Sequence, residues 1–585
     1  MSWVLIALLA VPLVGAAAML APSRADAAVR GRRLRVYGLA VSGVTFVLSL
    51  LPAVAFDYGD PARVQFSTDL AWIPGLDVRF HLGVDGVSLP LVVLTTLLTF
   101  LCFVYLCWGR ADGPGQLLRP GAGGDRPRAL VFTLLVLEVG MIGTFLALDL
   151  LLFFVFFEVV LIPMYFVIAV WGGRGRRAAA IKFILYTLLG SVVLLLGLLL
   201  IWAQTGTLDM VALARAQGAG MSPLVQIVAF LAVAVGFAVK TPMWPLHTWL
   251  PDAHTEAPTV GSVLLAGVLL KMGTYGFARI AIPVLPEGAA AAAPWLGAFA
   301  VIGIVYGSLA CLAQRDLKRM IAYSSVGHMG FVLLGLATLT PVGFNAALFG
   351  NIAHGLITAL LFFIAGAVKE RYGTSDMPAL GGGMLVRLPR LGSLLTFACV
   401  ASLGLPGLAG FWGEMLALLG AFQPAGALSR PLYLVFMALG GLGAVLTAAY
   451  FLLMLSRVTH GRPTETVYAP VLAAAGAGPS SKAGTSPAGA SDEGRFPAGG
   501  ESPGGESPGR EYPPPPGEGG GADSPGVPGS TFGPVRAGRA RMPDVMGHEL
   551  AAWVPLAGLI LLFGLWPKTL LLVTDPAVRT LLGAP

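Results

Sequence analysis

Seven ionisable residues stand inside long apolar runs of this sequence: Glu138, Glu158, Lys240, Lys271, His328, His354 and Glu414. A Lys or Asp at mid-membrane depth costs about 2.5 to 3.5 kcal/mol even on lenient insertion scales, so such residues rarely persist without a partner or a task. Acids, amines and imidazoles spread over successive apolar segments are the stepping stones of a proton relay. Burial disfavours the charged form of each group, whereas contact between an acid and an amine favours both charged forms. Making and breaking such a contact loads and releases a proton, and Glu158 with Lys240 is the leading pair. The competing explanation is that each residue is a satisfied packing group. It is tenable for a single histidine and poor for all seven together.

Two segments, near 223–249 and 391–424, are longer than one crossing needs and carry internal Pro and Gly, as discontinuous helices do. In Lys240-Thr-Pro-Met-Trp-Pro-Leu-His247, Pro242 and Pro245 remove backbone donors just beyond the amine, freeing carbonyls for water or an ammonium. In Leu405-Pro-Gly-Leu-Ala-Gly-Phe-Trp-Gly-Glu414, Pro406, Gly407, Gly410 and Gly413 loosen the chain beside an acid. Pro242 and Pro406 are 164 positions apart, in the seventh and twelfth apolar segments. That offset predicts two five-helix repeats, and because five is odd the repeats are inverted in the membrane.

The elements that must hold these residues follow from composition. Of 585 residues, 56% are hydrophobic and 11% charged, and mean hydropathy is +0.80. Soluble chains carry about 25% charged residues, so a soluble enzyme domain is excluded and an all-α polytopic membrane protein is implied. Fourteen apolar segments are expected near 2–22, 35–55, 86–108, 129–148, 149–171, 179–203, 223–249, 257–279, 294–314, 319–338, 342–368, 391–424, 431–456 and 550–574. The net charge of +7 does not indicate nucleic acid, because the Arg clusters are short and sit between apolar runs. With the long loop and the termini set aside, alternate loops hold 20 Lys and Arg on one side against five, Arg63, Arg79, Arg215, Arg279 and Arg430, on the other. The side rich in Arg is cytoplasmic, which puts both termini outside.

The divisions expected are N-terminal helices with an external hairpin at 1–128, a first repeat at 129–279, a second at 294–456, a Gly/Pro-rich loop at 457–547 and a last helix at 548–585. The hairpin is expected within 56–87, from the alternation at Val64–Phe66 and Val78–Leu82. The loop has 20 Gly and 15 Pro in 91 residues, a composition that cannot bury enough apolar surface to order itself, and it is read as disordered and cytoplasmic. The first apolar run lacks preceding basic residues, so it is read as a retained helix and not a signal peptide. Cys102, Cys107, Cys311 and Cys399 show no Cys-x-x-Cys spacing and cannot hold an iron–sulfur cluster by themselves. Asp252, His254 and Glu256 have a spacing that suits a metal, yet no further ligands lie near, so none is expected. Asp316, Lys318 and Arg319 read as a loop charge cluster.

Three longer motifs carry a resemblance: Phe157-Glu-Val-Val-Leu-Ile-Pro-Met-Tyr165, the run from Phe237 to Pro258, and Gln314-Arg-Asp-Leu-Lys-Arg-Met-Ile-Ala-Tyr-Ser-Ser-Val-Gly-His-Met-Gly330. They resemble the antiporter-like membrane subunits of respiratory complex I, over about 80–456 and again over the last span. The Gly/Pro-rich loop departs from that pattern. The resemblance implies a proton-translocating subunit of a bacterial inner membrane, driven by quinone reduction elsewhere. Glu158 would be the acid of the first half-channel, Lys240 its switching amine, Lys271 the central Lys, His328 and His354 the imidazoles of the axis, and Glu414 the terminal acid. It further implies that this chain binds no cofactor, that NADH, FMN, iron–sulfur clusters and quinone belong to the parent complex, and that the partners are neighbouring chains L and N and the lipid bilayer. Those sister chains typically carry Lys where this sequence has Glu414. Two other readings share parts of the pattern: a subunit of a multi-chain sodium/proton antiporter or membrane-bound hydrogenase, and a membrane scaffold whose buried charges only hold helices together.

Overall fold

The computed structural model describes residues 3–20, 27–108, 127–461 and 543–584, so most of the expected 457–547 loop lies outside the described residues. Among the described residues, 12 helices are long and apolar enough to cross a membrane. Two of the fourteen expected segments are not among those 12. Trp3–Ala18 has 16 residues, short of the roughly 20 a crossing takes. The 391–424 run is divided into Pro389–Ser402 and Ala409–Phe422, with Gly404 at φ +79° and Gly407 at φ +94° in the gap. Those are left-handed conformations that glycine adopts without a side-chain penalty. The 223–249 run is likewise divided, into Pro223–Lys240 and Trp249–Glu256.

A third interruption was not anticipated. The 149–171 segment is split at Val160 into Leu150–Val159 and Leu161–Trp171. Pro163 explains it, because its ring opposes the Val159 carbonyl four residues back and supplies no donor for it. The last expected span, 550–574, ends at Leu565, where Trp566-Pro567 stops the helix, and a separate helix, Lys568–Leu581, follows. The Arg-rich stretch read as a loop is the start of helix Ala27–Ala55.

The hairpin within 56–87 is present. Strands β1 (Gln65–Ile73) and β2 (Val78–Val84) pair antiparallel with irregularities in register. At its end, Leu82 bridges to Ala147, and the Leu148 N–H donates to the His81 carbonyl at 2.9 Å. The hairpin is thereby tied to the end of helix Pro127–Leu146.

The architecture repeats itself in atomic detail. Asp149 bridges to Asp209, and Asp316 bridges to Asp376, the second pair 167 positions after the first. Leu150 N–H donates to Leu208 O at 2.9 Å and Met210 N–H to Leu148 O at 2.8 Å; Leu317 N–H donates to Ser375 O at 2.9 Å and Met377 N–H to Arg315 O at 2.7 Å. Each of the four aspartates caps a helix through its carboxylate. Gly206-Thr-Leu-Asp-Met-Val-Ala-Leu213 and Gly373-Thr-Ser-Asp-Met-Pro-Ala-Leu380 are identical at six of eight positions. After each motif comes a helix broken in its middle. Five crossings separate the first bridge from the second, so they lie on opposite faces of the bundle, the first on the face that carries the hairpin.

Helices Thr259–Val284 and Pro341–Tyr372 run through the centre and are buried almost throughout. The first contains two π-helical turns, Leu265–Leu269 and Phe277–Ala281, on either side of the turns that carry Lys271. The second is clamped to the last span: Arg371 grips Glu549 with two bonds of 2.8 and 2.6 Å and donates to the carbonyls of Pro543 and Asp544.

Candidate functional site

Four of the seven singled-out side chains form one continuous array on the central helices. Lys271 Nζ lies 2.6 Å from His354 Nδ1 and also donates to the carbonyl of Ala266, five residues back in the first π-helical turn. A π turn shifts carbonyls out of the usual ladder, and such turns recur at functional sites. The His354 ring sits edge-on to the His328 ring, centroids 5.6 Å apart. His328 is held at both nitrogens, Nδ1 at 3.0 Å from Glu414 Oε1 and Nε2 at 3.0 Å from Ser402 Oγ. Both rings line a cavity of about 30 Å³, together with Ser402 and Glu414, enough for a water molecule. His354 Nε2 is buried without a hydrogen-bond partner among the described residues. Amine, imidazole, imidazole and acid therefore stand in that order from Lys271 to Glu414.

The first half is built differently. Glu158, in the last turn before the Val160 interruption, accepts a hydrogen bond from the Ser191 hydroxyl. Lys240 is the last residue of Pro223–Lys240 and is buried; its ammonium donates to the Phe157 carbonyl at 3.3 Å and lies 4.3 Å from the centre of the Phe157 ring. The expected Glu158–Lys240 pair is thus a near neighbour pair that interacts through space. No ion pair within 4.0 Å joins it among the described residues. The Phe157 carbonyl, next in the chain to Glu158, takes the place of the carboxylate. Phe153, Phe157 and Phe277 each pack edge to face against Phe237 here, and the nearby Thr241 hydroxyl is buried without a partner among the described residues.

Glu138 lies apart. It is buried in Pro127–Leu146 beside Cys102, and neither carboxylate oxygen has a partner among the described residues.

Two residues were misread from sequence. Lys318, taken for part of a loop cluster, is buried in the first turn of Leu317–Ala337 and donates to the Ala257 carbonyl. His254 is buried, stacked on Phe362 at 4.6 Å, with neither ring nitrogen partnered among the described residues, and lies within electrostatic range of Lys318 and Lys271. The available signal was the Asp316 cap: a helix starting at Leu317 turns Lys318 inward while Arg315 and Arg319 point out. The Asp252, His254 and Glu256 side chains diverge: Asp252 pairs with Lys182 at 2.7 Å and Glu256 accepts from the Gly175 N–H at 2.9 Å.

Comparison with known proteins gives a consistent picture. The profile of the family described as NADH:quinone oxidoreductase/Mrp antiporter, TM, matches residues 147–447. The chain is 42% identical over 460 residues to NADH-quinone oxidoreductase subunit M of Rhodobacter capsulatus, covering 77% of this chain and 85% of that one. It is 41% identical over 433 residues to NADH-ubiquinone oxidoreductase chain 4 of Arabidopsis thaliana, covering 74% and 82%. Its structure superposes on a chain of respiratory complex I from Thermus thermophilus with TM-score 0.74 at 26% identity, each chain covered to 99%. A chain of the Mrp complex from Dietzia sp. matches with the same score at 22% identity, covering 99% and 97%, a likeness of fold.

Proposed function

The chain belongs to the NADH:quinone oxidoreductase/Mrp antiporter membrane family, and from that premise we propose that it is the M-type proton-translocating subunit of an NADH-quinone oxidoreductase. Its relatives at 37–42% identity include NADH-quinone oxidoreductase subunit M of several bacteria. It contributes to an enzyme, a translocase, without performing the redox step itself. Electrons pass from NADH to quinone through FMN and iron–sulfur clusters on other chains of the complex, and this chain moves protons.

The observation that carries the proposal is the array Lys271–His354–His328–Glu414, with a water-sized cavity lined by its last three members. Glu158 and Lys240 form the loading half. An ammonium resting on a carbonyl and a ring, with a carboxylate close by but not bonded, has two alternative partners, and exchange between them alters the charge felt at Lys271. Glu138 flanks this half as a buried acid awaiting a partner. A proton crossing against 100 mV requires about 2.3 kcal/mol, a scale that changes of partner at buried ionisable groups can supply. The divisions at 1–128, 129–279, 294–456, 457–547 and 548–585, the placement in the bacterial inner membrane with both termini outside, and the L- and N-type chains as neighbours complete the reading. The Arg asymmetry between alternate loops supports the orientation.

The test is Lys240→Ala in the assembled complex, reconstituted in sealed vesicles. The expected outcome is normal assembly and NADH oxidation by detached electron acceptors, with proton-coupled quinone reduction lost. Undiminished proton pumping would refute the role of Lys240.

A further inference from the structure

Basic residues are scarce on the hairpin face. With the terminal helix Lys568–Leu581 set aside, five lie in its loops and at the adjoining ends of its elements, Arg63, Arg79, Arg215, Arg279 and Arg430. Three of the five, Arg63, Arg215 and Arg279, line a single cleft of about 610 Å³ between the hairpin, helix Met210–Ala216 and helix Lys568–Leu581. The other two are engaged elsewhere: Arg79 pairs with Asp69 at 2.7 Å, and Arg430 lies 5.3 Å from the Phe422 ring centre. At the cleft, the acids are already used. Asp85 is held by Arg279 in a buried pair, and Asp209 is held by His81 Nδ1 at 3.1 Å. Arg63 and Arg215 are exposed, and among the described residues their guanidinium groups meet no carboxylate.

We infer that this cleft binds the phosphate of an anionic phospholipid headgroup. Two uncompensated guanidinium forks face a cleft within the size range of small-molecule sites, and the fork geometry matches phosphate oxygens. The lipid source follows from the surroundings. The cleft opens at the ends of the spans, with apolar Met210, Ala577 and Leu581 in its walls. Beside it an apolar groove of about 100 Å³, lined by Val78, Leu151, Leu198, Trp202 and Leu208, runs along spanning helices. Val78 of the groove and His81 of the cleft lie three residues apart on β2, and Leu208 and Met210 flank Asp209, so the groove lies close to the cleft. A headgroup in the cleft leaves an acyl chain at the groove, whereas free phosphate uses only the cleft.

The inference is tested on the whole complex in vesicles containing phosphatidylglycerol with a photoreactive group near its phosphate. Labelling of peptides covering 62–67 and 211–217 is expected, falling about ten-fold in Arg63→Gln/Arg215→Gln. It is expected to fall less in Arg63→Lys/Arg215→Lys, which keeps the charge without the fork, to persist in Arg430→Gln, and to be competed by unlabelled phosphatidylglycerol but not by phosphatidylcholine or inorganic phosphate. Equal labelling of the double Gln variant overturns the inference. Competition by inorganic phosphate also overturns it, assigning the cleft to a free anion. So does cross-linking of Arg215→Cys to an acidic segment of a neighbouring chain without lipid labelling.

Discussion

The two broken helices solve one problem with opposite charges. In the first, the helical half before the gap ends on Lys240, an amine seated on a carbonyl and a ring. In the second, the equivalent end is Ser402, and the ionisable group, Glu414, lies across the gap. The residue facing each break differs in the same sense: Glu158, nine residues after the Asp149 cap and just before the Val160 interruption, in the first half, and His328, twelve residues after the Asp316 cap in an uninterrupted helix, in the second. Acid facing amine becomes imidazole facing acid. In the first half Lys240 rests on a carbonyl and a ring, with no carboxylate within 4.0 Å among the described residues, whereas in the second both His328 nitrogens are occupied. Duplication thus preserved the breaks and the capping bridges while the chemistry at the breaks diverged.

The sharpest way to break this comparison is Lys240→Ala against Glu414→Gln. Because Lys240 has no substitute, coupled proton transport should fall by at least about ten-fold, the equivalent of about 1.4 kcal/mol. Glu414→Gln keeps a side chain that can bond His328, and Ser402 holds the other nitrogen, so a loss of about three-fold is expected. Proton uptake by vesicles reconstituted with each variant decides between them, and equal losses would end the asymmetry.

A smaller effect is expected at the two bridges. Burial pushes the Asp209 carboxyl up, but the His81 hydrogen bond and the Ala212 N–H together hold it below the usual carboxylate value. A group depressed in the folded state stabilises above its unfolded pKa, and that stability is lost as pH falls through the lower folded value. The hairpin-face bridge should therefore weaken below about pH 4. Asp209→Asn should remove that acid dependence and about 1 kcal/mol at neutral pH, read by thermal unfolding. Beyond the cap bond from the Ala379 N–H, Asp376 has only Arg315 at 4.0 Å among the described residues, both side chains well exposed, and Asp376→Asn should change the acid limb less. The smallest effect is expected for Ser191→Ala, which removes a single hydroxyl from Glu158: a change of about two-fold in coupled turnover with assembly intact.

The breaks at Pro242 and Pro406 were legible because proline and glycine leave a signature no apolar helix needs. The interruption at Val160 was equally legible in principle, through Pro163, but a single proline within a run of ordinary crossing length does not announce itself. The order Lys271, His354, His328, Glu414 could be read as a set and not as a chain, since contacts between helices 83 or 86 positions apart depend on packing that no periodicity encodes. Lys318 was lost because a basic residue among Asp316 and Arg319 looks solvated until the helix start is fixed. Glu138 shows the reverse: its depth was right, yet depth alone did not bring it a neighbour. The repeat was inferred from the breaks, whereas its stronger trace, the shared Gly-Thr-x-Asp-Met-x-Ala-Leu motif, is only eight residues long in an apolar background.

The paired aspartate bridges have a consequence for symmetry. Two copies of one segment whose matching ends lie on opposite faces are related by an axis in the plane of the membrane, not along its normal. Half of such a molecule is complementary to its own upside-down twin. Two separate halves, inserted in opposite directions, would close the same central contact that a single continuous chain makes permanent.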